Sequence, residues 1–214
     1  MWRSATNYSA VVAMAGRPRK AEPEVALDAA IKAFWARGYQ ATSMTDLTEA
    51  TGLHKASLYQ TFGDKRSLFF TALESYANAT LLMLKTCKQE NPDPIAALVA
   101  ASSALIQQCS DGKGCLAVNS LVEVAPIDTD VEKLLNQFRQ RLDNYFASLI
   151  EQGKSSGQIG RKIEAKPAAR LLAVFLFGIT TNMAAGMSAN KARKLSLEQI
   201  RLVLQLTRKQ VGVK

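Results

Sequence analysis

Histidine is nearly missing from this chain and cysteine is scarce: one His and three Cys in 214 residues. The lone histidine, His54, permits no Ser/His/Asp order for nucleophilic catalysis and no Cys/His spacing for zinc. No glycine-rich phosphate loop follows a strand pattern, and "GKG" around Lys113 is a loop of chance composition. An enzyme is thus the disfavoured class, and no cofactor or metal is expected. An odd cysteine count at this length argues against a disulfide framework and for a reducing compartment, the cytoplasm. Acidic residues are in deficit, 18 Asp and Glu against 27 Lys and Arg, for a formal charge of +9. That balance suits a polyanionic partner without demanding one. Long apolar runs are absent too. The longest, "LLAVFLFGI" from Leu171 to Ile179, is about half the roughly 20 residues a membrane span requires, so no membrane segment is expected.

What is present is helical periodicity, with no recurrent strand signal and no internal repeat. Met14, opening "MAGRPRK", reads as a natural start. Residues 1–13 are therefore expected to be an upstream start or a cloning remnant, and residues 1–15 a disordered extension. Leu27, Ala30, Ile31, Phe34 and Trp35 repeat at helical spacing, and Gly38 is placed to end that helix. Ser43 with Asp46 forms a capping-box start for a short second helix that Gly52 stops. Asp64 can cap a long helix, and Asp93 with Pro94 opens another after the "NPDP" break. A short helix is expected from Cys115 to Val124. Thr129 with Glu132 is expected to cap a long amphipathic helix closing by Gly157, and Pro167 to start a strongly apolar one. Ser196 with Gln199 reads as the capping box of the last helix. The sum is an all-α chain of about nine helices.

The stretch "TGLHKASLYQTFGDK" from Thr51 to Lys65 contains a helix too short to stand alone in water. Helix, Gly52-Leu53 turn and short helix together match a helix-turn-helix. Leu53, Leu58 and Phe62 can face the preceding helices, which leaves Lys55, Ala56, Ser57, Tyr59 and Gln60 outward. Small residues at Ala56 and Ser57 allow close approach to a groove floor. Lys55 and Gln60 reach base edges or phosphates, and the Tyr59 hydroxyl suits a phosphate. Thr42, Ser43 and Lys65 place further donors where flanking phosphates would pass.

With those residues in register, the segment from about 22 to 73 resembles the N-terminal DNA-binding domain of the TetR family of bacterial transcriptional regulators. The resemblance rests on Phe34, Gly38, Tyr39, Thr42 and Ser43, on the turn with Leu53, and on "SLYQTFGDK". It implies a DNA-binding domain over 16–66 and a helical ligand-binding and dimerisation domain over 67–214. It further implies a homodimer on a palindromic double-stranded operator and release by a small-molecule inducer. Carried over by position, Thr42 or Ser43, Lys55, Ser57, Tyr59, Gln60 and Lys65 are the expected DNA contacts. His54 departs from the pattern, since the family more often has Ser as the cap there. Imidazole caps a helix poorly, so His54 either contacts a phosphate itself or leaves the helix start weaker.

In the second half, "GKGCLAVN" resembles a TetR branch with a "GCL" element whose cysteine can sense electrophiles. Cys109 and Cys115 flank a loop, and Lys113 is placed to lower the pKa of Cys115 if it reaches the thiol. The competing reading makes Cys115 a small core hydrophobe. Cys115, Asn119, Glu123, Phe138, Phe175 and Asn182 are candidates to line an apolar inducer pocket. Leu171, Leu172, Phe175, Leu176, Ile179, Leu202, Val203 and Leu206 make the last two helices too apolar for a solvated face, which points to pairing with a second copy.

Overall fold

The structure, a computed structural model, describes residues 22–212. The expected disorder of residues 1–15 therefore falls outside the described residues. Among those described, the chain forms nine α-helices and a single 3₁₀ turn, with no strand.

The first three helices make a compact head. Helix α1 (Pro23–Arg37) starts with Pro23, whose missing N–H costs nothing in a first turn. It buries Ala26, Ala30 and Phe34 along one face and ends at Gly38, φ 81°. Helix α2 (Met44–Thr51) has the capping box expected from Ser43 and Asp46, and Gly52 closes it in the left-handed region. Helix α3 (Lys55–Phe62) is only 8 residues long. Its stability comes from tertiary burial: Leu58 is 1% exposed, worth roughly 1.5–3 kcal/mol for a side chain of that size. Phe34 and Phe69 meet edge-to-face at 5.1 Å and tie the head to α4 (Lys65–Glu90).

The remaining helices are α5 (Pro94–Gln108), α6 (Leu116–Glu123), α7 (Thr129–Ser155), α8 (Ala165–Ala184) and α9 (Ala189–Leu204). Helix α5 packs on α4, α7 and α9, while α8 runs between α7 and α9. By length and composition α8 is apolar enough to cross a bilayer. In this fold Leu172, Leu176 and Ile179 on it are core, whereas Leu171, Val174 and Phe175 are exposed.

Two expected helix starts are corrected. Helix α7 is capped by Asp128, whose carboxylate accepts from Asp130 and Val131 N–H, so Thr129 is the first helical residue. Helix α9 begins two turns before Ser196, with Ser188 as its cap. Ser196 and Gln199 lie buried in mid-helix, and Gln199 Nε2 donates to the Leu171 carbonyl at 3.1 Å.

Candidate nucleic-acid interface and regulatory cavity

Helix α3 presents the face the sequence implies. Leu58 and Leu53 turn inward, while His54, Lys55, Tyr59 and Gln60 are exposed and Ser57 is half-buried. Tyr59 is 42% exposed, so it is placed to meet a partner. Lys55 Nζ lies 5.9 Å from the Tyr59 ring centroid, so charge and phenol share one edge. His54 occupies the N-cap of α3 and makes no side-chain cap bond.

The flanking donors are more committed. Thr42 is fully buried, its hydroxyl donating to the Gly38 carbonyl at 2.6 Å. It braces the α1–α2 turn and is withdrawn from any outward role, which corrects its place among the outward donors. Ser43 is exposed, but its hydroxyl and N–H both serve the Asp46 carboxylate at 2.6 and 2.7 Å. Lys65 Nζ stands 4.5 Å over the Tyr39 ring and 3.4 Å from the Gln40 carbonyl, with donor capacity to spare.

Behind the head, a cavity opens between α4, α5, α7 and α8. Tyr76, Thr80, Gln108, Cys109, Cys115 and Thr180 supply its polar atoms; Phe138, Phe146 and Phe177 are among its apolar walls. Its volume is about 20 Å³, roughly the room one water needs. Of the residues named for an inducer pocket, Cys115 and Phe138 line this cavity. Asn119, Glu123, Phe175 and Asn182 do not. Asn119 donates to the Lys113 carbonyl at 2.9 Å, and Asn182 to the Gly178 carbonyl at 2.8 Å. Phe175 is 45% exposed on the outer side of α8. Glu123 reaches the α1–α2 turn, accepting from Tyr39 N–H at 3.0 Å and Gln40 N–H at 2.8 Å.

The three cysteines are free thiols. Hydrogen bonding from the Cys109 thiol holds Cys115 well below the usual thiol range, against the opposing effect of burial. The Tyr76 hydroxyl, 3.5 Å from Cys115 Sγ, and the Ala117 and Val118 amides at the start of α6 act in the same direction. Lys113, the expected cause, is not among these groups. The same pairing, with burial, pushes the Cys109 thiol up. Tyr76 also meets Trp35 edge-to-face at 5.1 Å, and Trp35 Nε1 donates to the Gly114 carbonyl at 2.9 Å. Tyr76, a wall of the cavity, thus packs directly on α1 of the head.

A family model described as "Bacterial regulatory proteins, tetR family" matches residues 26–72, which are α1 to the first turns of α4. The HTH-type transcriptional repressor DhaR of Mycobacterium sp. (strain GP1) is 31% identical over 145 residues, 67% of this chain and 70% of that protein. The chain belongs to the TetR family. This TetR-family chain is also 26% identical over 200 residues to the HTH-type transcriptional repressor ComR of Escherichia coli (strain K12), covering 90% of this chain and 94% of that one. In fold it matches a cysteine mutant of the TetR family transcriptional regulator CifR complexed with 26bp double-strand operator DNA. That match has a TM-score of 0.77 and 24% identity, and covers 87% of this chain and 98% of the other. As a TetR-family protein the chain is a DNA-binding transcriptional regulator with an N-terminal helix-turn-helix.

Proposed function

We propose that this regulator is a homodimeric, cytoplasmic repressor that reads a palindromic operator with α3 and lets go when a small molecule occupies the cavity behind Cys115. The observation that carries the reading is the divided α3: Leu58 buried, with Lys55, Tyr59 and Gln60 on one exposed edge. Lys55, Tyr59, Gln60 and Ser57 act as groove and phosphate contacts, with His54, Ser43 and Lys65 at the flanks. Two such heads must stand about 34–36 Å apart, or a multiple, to enter successive major grooves. The exposed Leu171, Val174, Phe175 and Leu202 of α8 and α9 supply an apolar face for a second copy. The domain boundary at residue 66 falls within the first turn of α4, which joins head to cavity. The named relatives are repressors, which supports repression over activation and a non-enzymatic role.

Binding to duplex selected by the protein from a random library tests the reading. Lys55→Ala and Tyr59→Phe are expected to weaken binding by about 1–3 kcal/mol each while leaving the melting temperature unchanged. Lys55→Ala should also flatten the dependence of log K on log salt by about one unit of slope. Unchanged affinity in both variants would place the reading head elsewhere.

A second reading of the trigger rests on the cavity chemistry. The depressed Cys115 thiol, paired with Cys109 and Tyr76, favours attack on an electrophile or oxidant over simple packing.

A further inference from the structure

Helix α6 is a rod of two turns, about 12 Å long at 1.5 Å per residue, with Cys115 at one end and Glu123 at the other. The Cys115 end touches the cavity. The Glu123 end breaks a local rule: a carboxylate at a helix C-terminus opposes the macrodipole, and no basic residue in that turn offsets it. Such a conflict marks a position held for a purpose other than helix stability.

The compensation comes from outside the helix. Glu123 Oε2 accepts from Tyr39 N–H at 3.0 Å and Oε1 from Gln40 N–H at 2.8 Å, so both carboxylate oxygens grip adjacent amides of the α1–α2 turn. The approach is so close that a Cβ on Gly38 would lie 2.8 Å from Glu123 Oε2. Lys65 holds the same turn from the α4 side through the Gln40 carbonyl and the Tyr39 ring. Two residues beyond Gln40 begins Thr42-Ser43, the entry to the helix-turn-helix.

We propose that Glu123 is a positioning residue for operator binding: it clamps the α1–α2 turn to the end of α6 and so fixes each head relative to the regulatory half. The inference rests on the DNA-reading role of α3. Its consequence is that head-to-head separation is set in part at Glu123, and that displacing the Cys115 end of α6 moves the clamp at the other. Charge alone predicts the opposite effect of removing it, because deleting a negative group from a DNA-binding protein tightens binding to a polyanion.

The test compares a palindromic duplex selected by the wild-type protein from a random library with the corresponding single half-site. Glu123→Ala should bind the full site about tenfold more weakly, since an unheld head must be ordered on binding. Half-site affinity, which needs only one head, should stay within about twofold, and the salt slope should not change. Glu123→Gln, isosteric and keeping one acceptor oxygen, should fall between wild type and Glu123→Ala. Full-site binding by Glu123→Gln and Glu123→Ala as tight as wild type, or tighter, overturns the proposal. So does an equal loss on full and half sites, which would mean damage to the head itself. If Lys55→Ala loses both sites while the Glu123 variants lose neither, only the clamp fails. If no duplex is selected, the DNA reading fails first.

Discussion

Cys115 gathers donors from three directions: the Cys109 thiol, the Tyr76 hydroxyl and the opening amides of α6. A thiol so placed should be the first of the three cysteines to alkylate near neutral pH wherever reagent reaches it, because Cys109 and Cys87 are both pushed up, Cys87 chiefly by burial. Tyr76→Phe removes one donor to the thiolate. It should raise the Cys115 pKa and move the midpoint of its iodoacetamide reaction to higher pH, as followed by site-resolved mass spectrometry. Modification of Cys87 before Cys115 would contradict this. For the sensing reading, a mild electrophile should release wild type from operator and leave Cys115→Ser bound; equal release removes that reading. Cys115 was legible in the sequence because a "GCL" element between a loop and a helix draws the eye. The role of Glu123 was not. Its partners are backbone amides 84 and 83 residues away, and an amide N–H has no sequence signature. The one available hint was an acid at the tail of a short apolar helix.

Among the helices, the stops and starts written in single residues were readable. Gly52, Asp64, Asp93 with Pro94, and the Ser43–Asp46 box all act as the residue types imply. Helix α9 starts ahead of its sequence signal because its opening turns, "ANKARK", carry little apolar periodicity, while Ser196 and Gln199 mimic a capping box from inside the core. The caps have a consequence in acid. Hydrogen bonds from Ser43, the Ser67 amide, the Ala96 amide and Arg66 hold Asp46, Asp64, Asp93 and Asp128, respectively, below the ordinary carboxylate range. Groups with depressed folded pKa values stabilise the fold above their unfolded values, about 4, and lose that contribution as pH falls through the folded ones. Melting temperature by circular dichroism should therefore be nearly flat from about pH 7 to 5 with respect to these groups and drop below about 4. Asp93→Asn keeps a cap but cannot titrate, so its acid limb should be shallower. An identical limb would remove Asp93 from the account.

For the molecule as a whole, the outer side of α8 and α9 leaves Leu171, Val174 and Leu202 more than half exposed, at 58%, 54% and 63%. Charges placed there leave the core untouched but cannot be buried against a second copy. Leu171→Glu with Leu202→Glu should yield a folded monomer by light scattering and lose more than about tenfold in full-site affinity. A variant that stays dimeric would put the interface on another face. The all-helical architecture and the apolar character of this surface followed from sequence, whereas the division of α8 into a core side and an outer side needed coordinates. The cavity carries one more implication. With room for little beyond a water molecule, it can admit a larger guest only if its walls part. Some intrinsic affinity is then consumed in parting the walls, so occupancy should build slowly, at a pace set by breathing of the bundle and not by diffusion to its mouth.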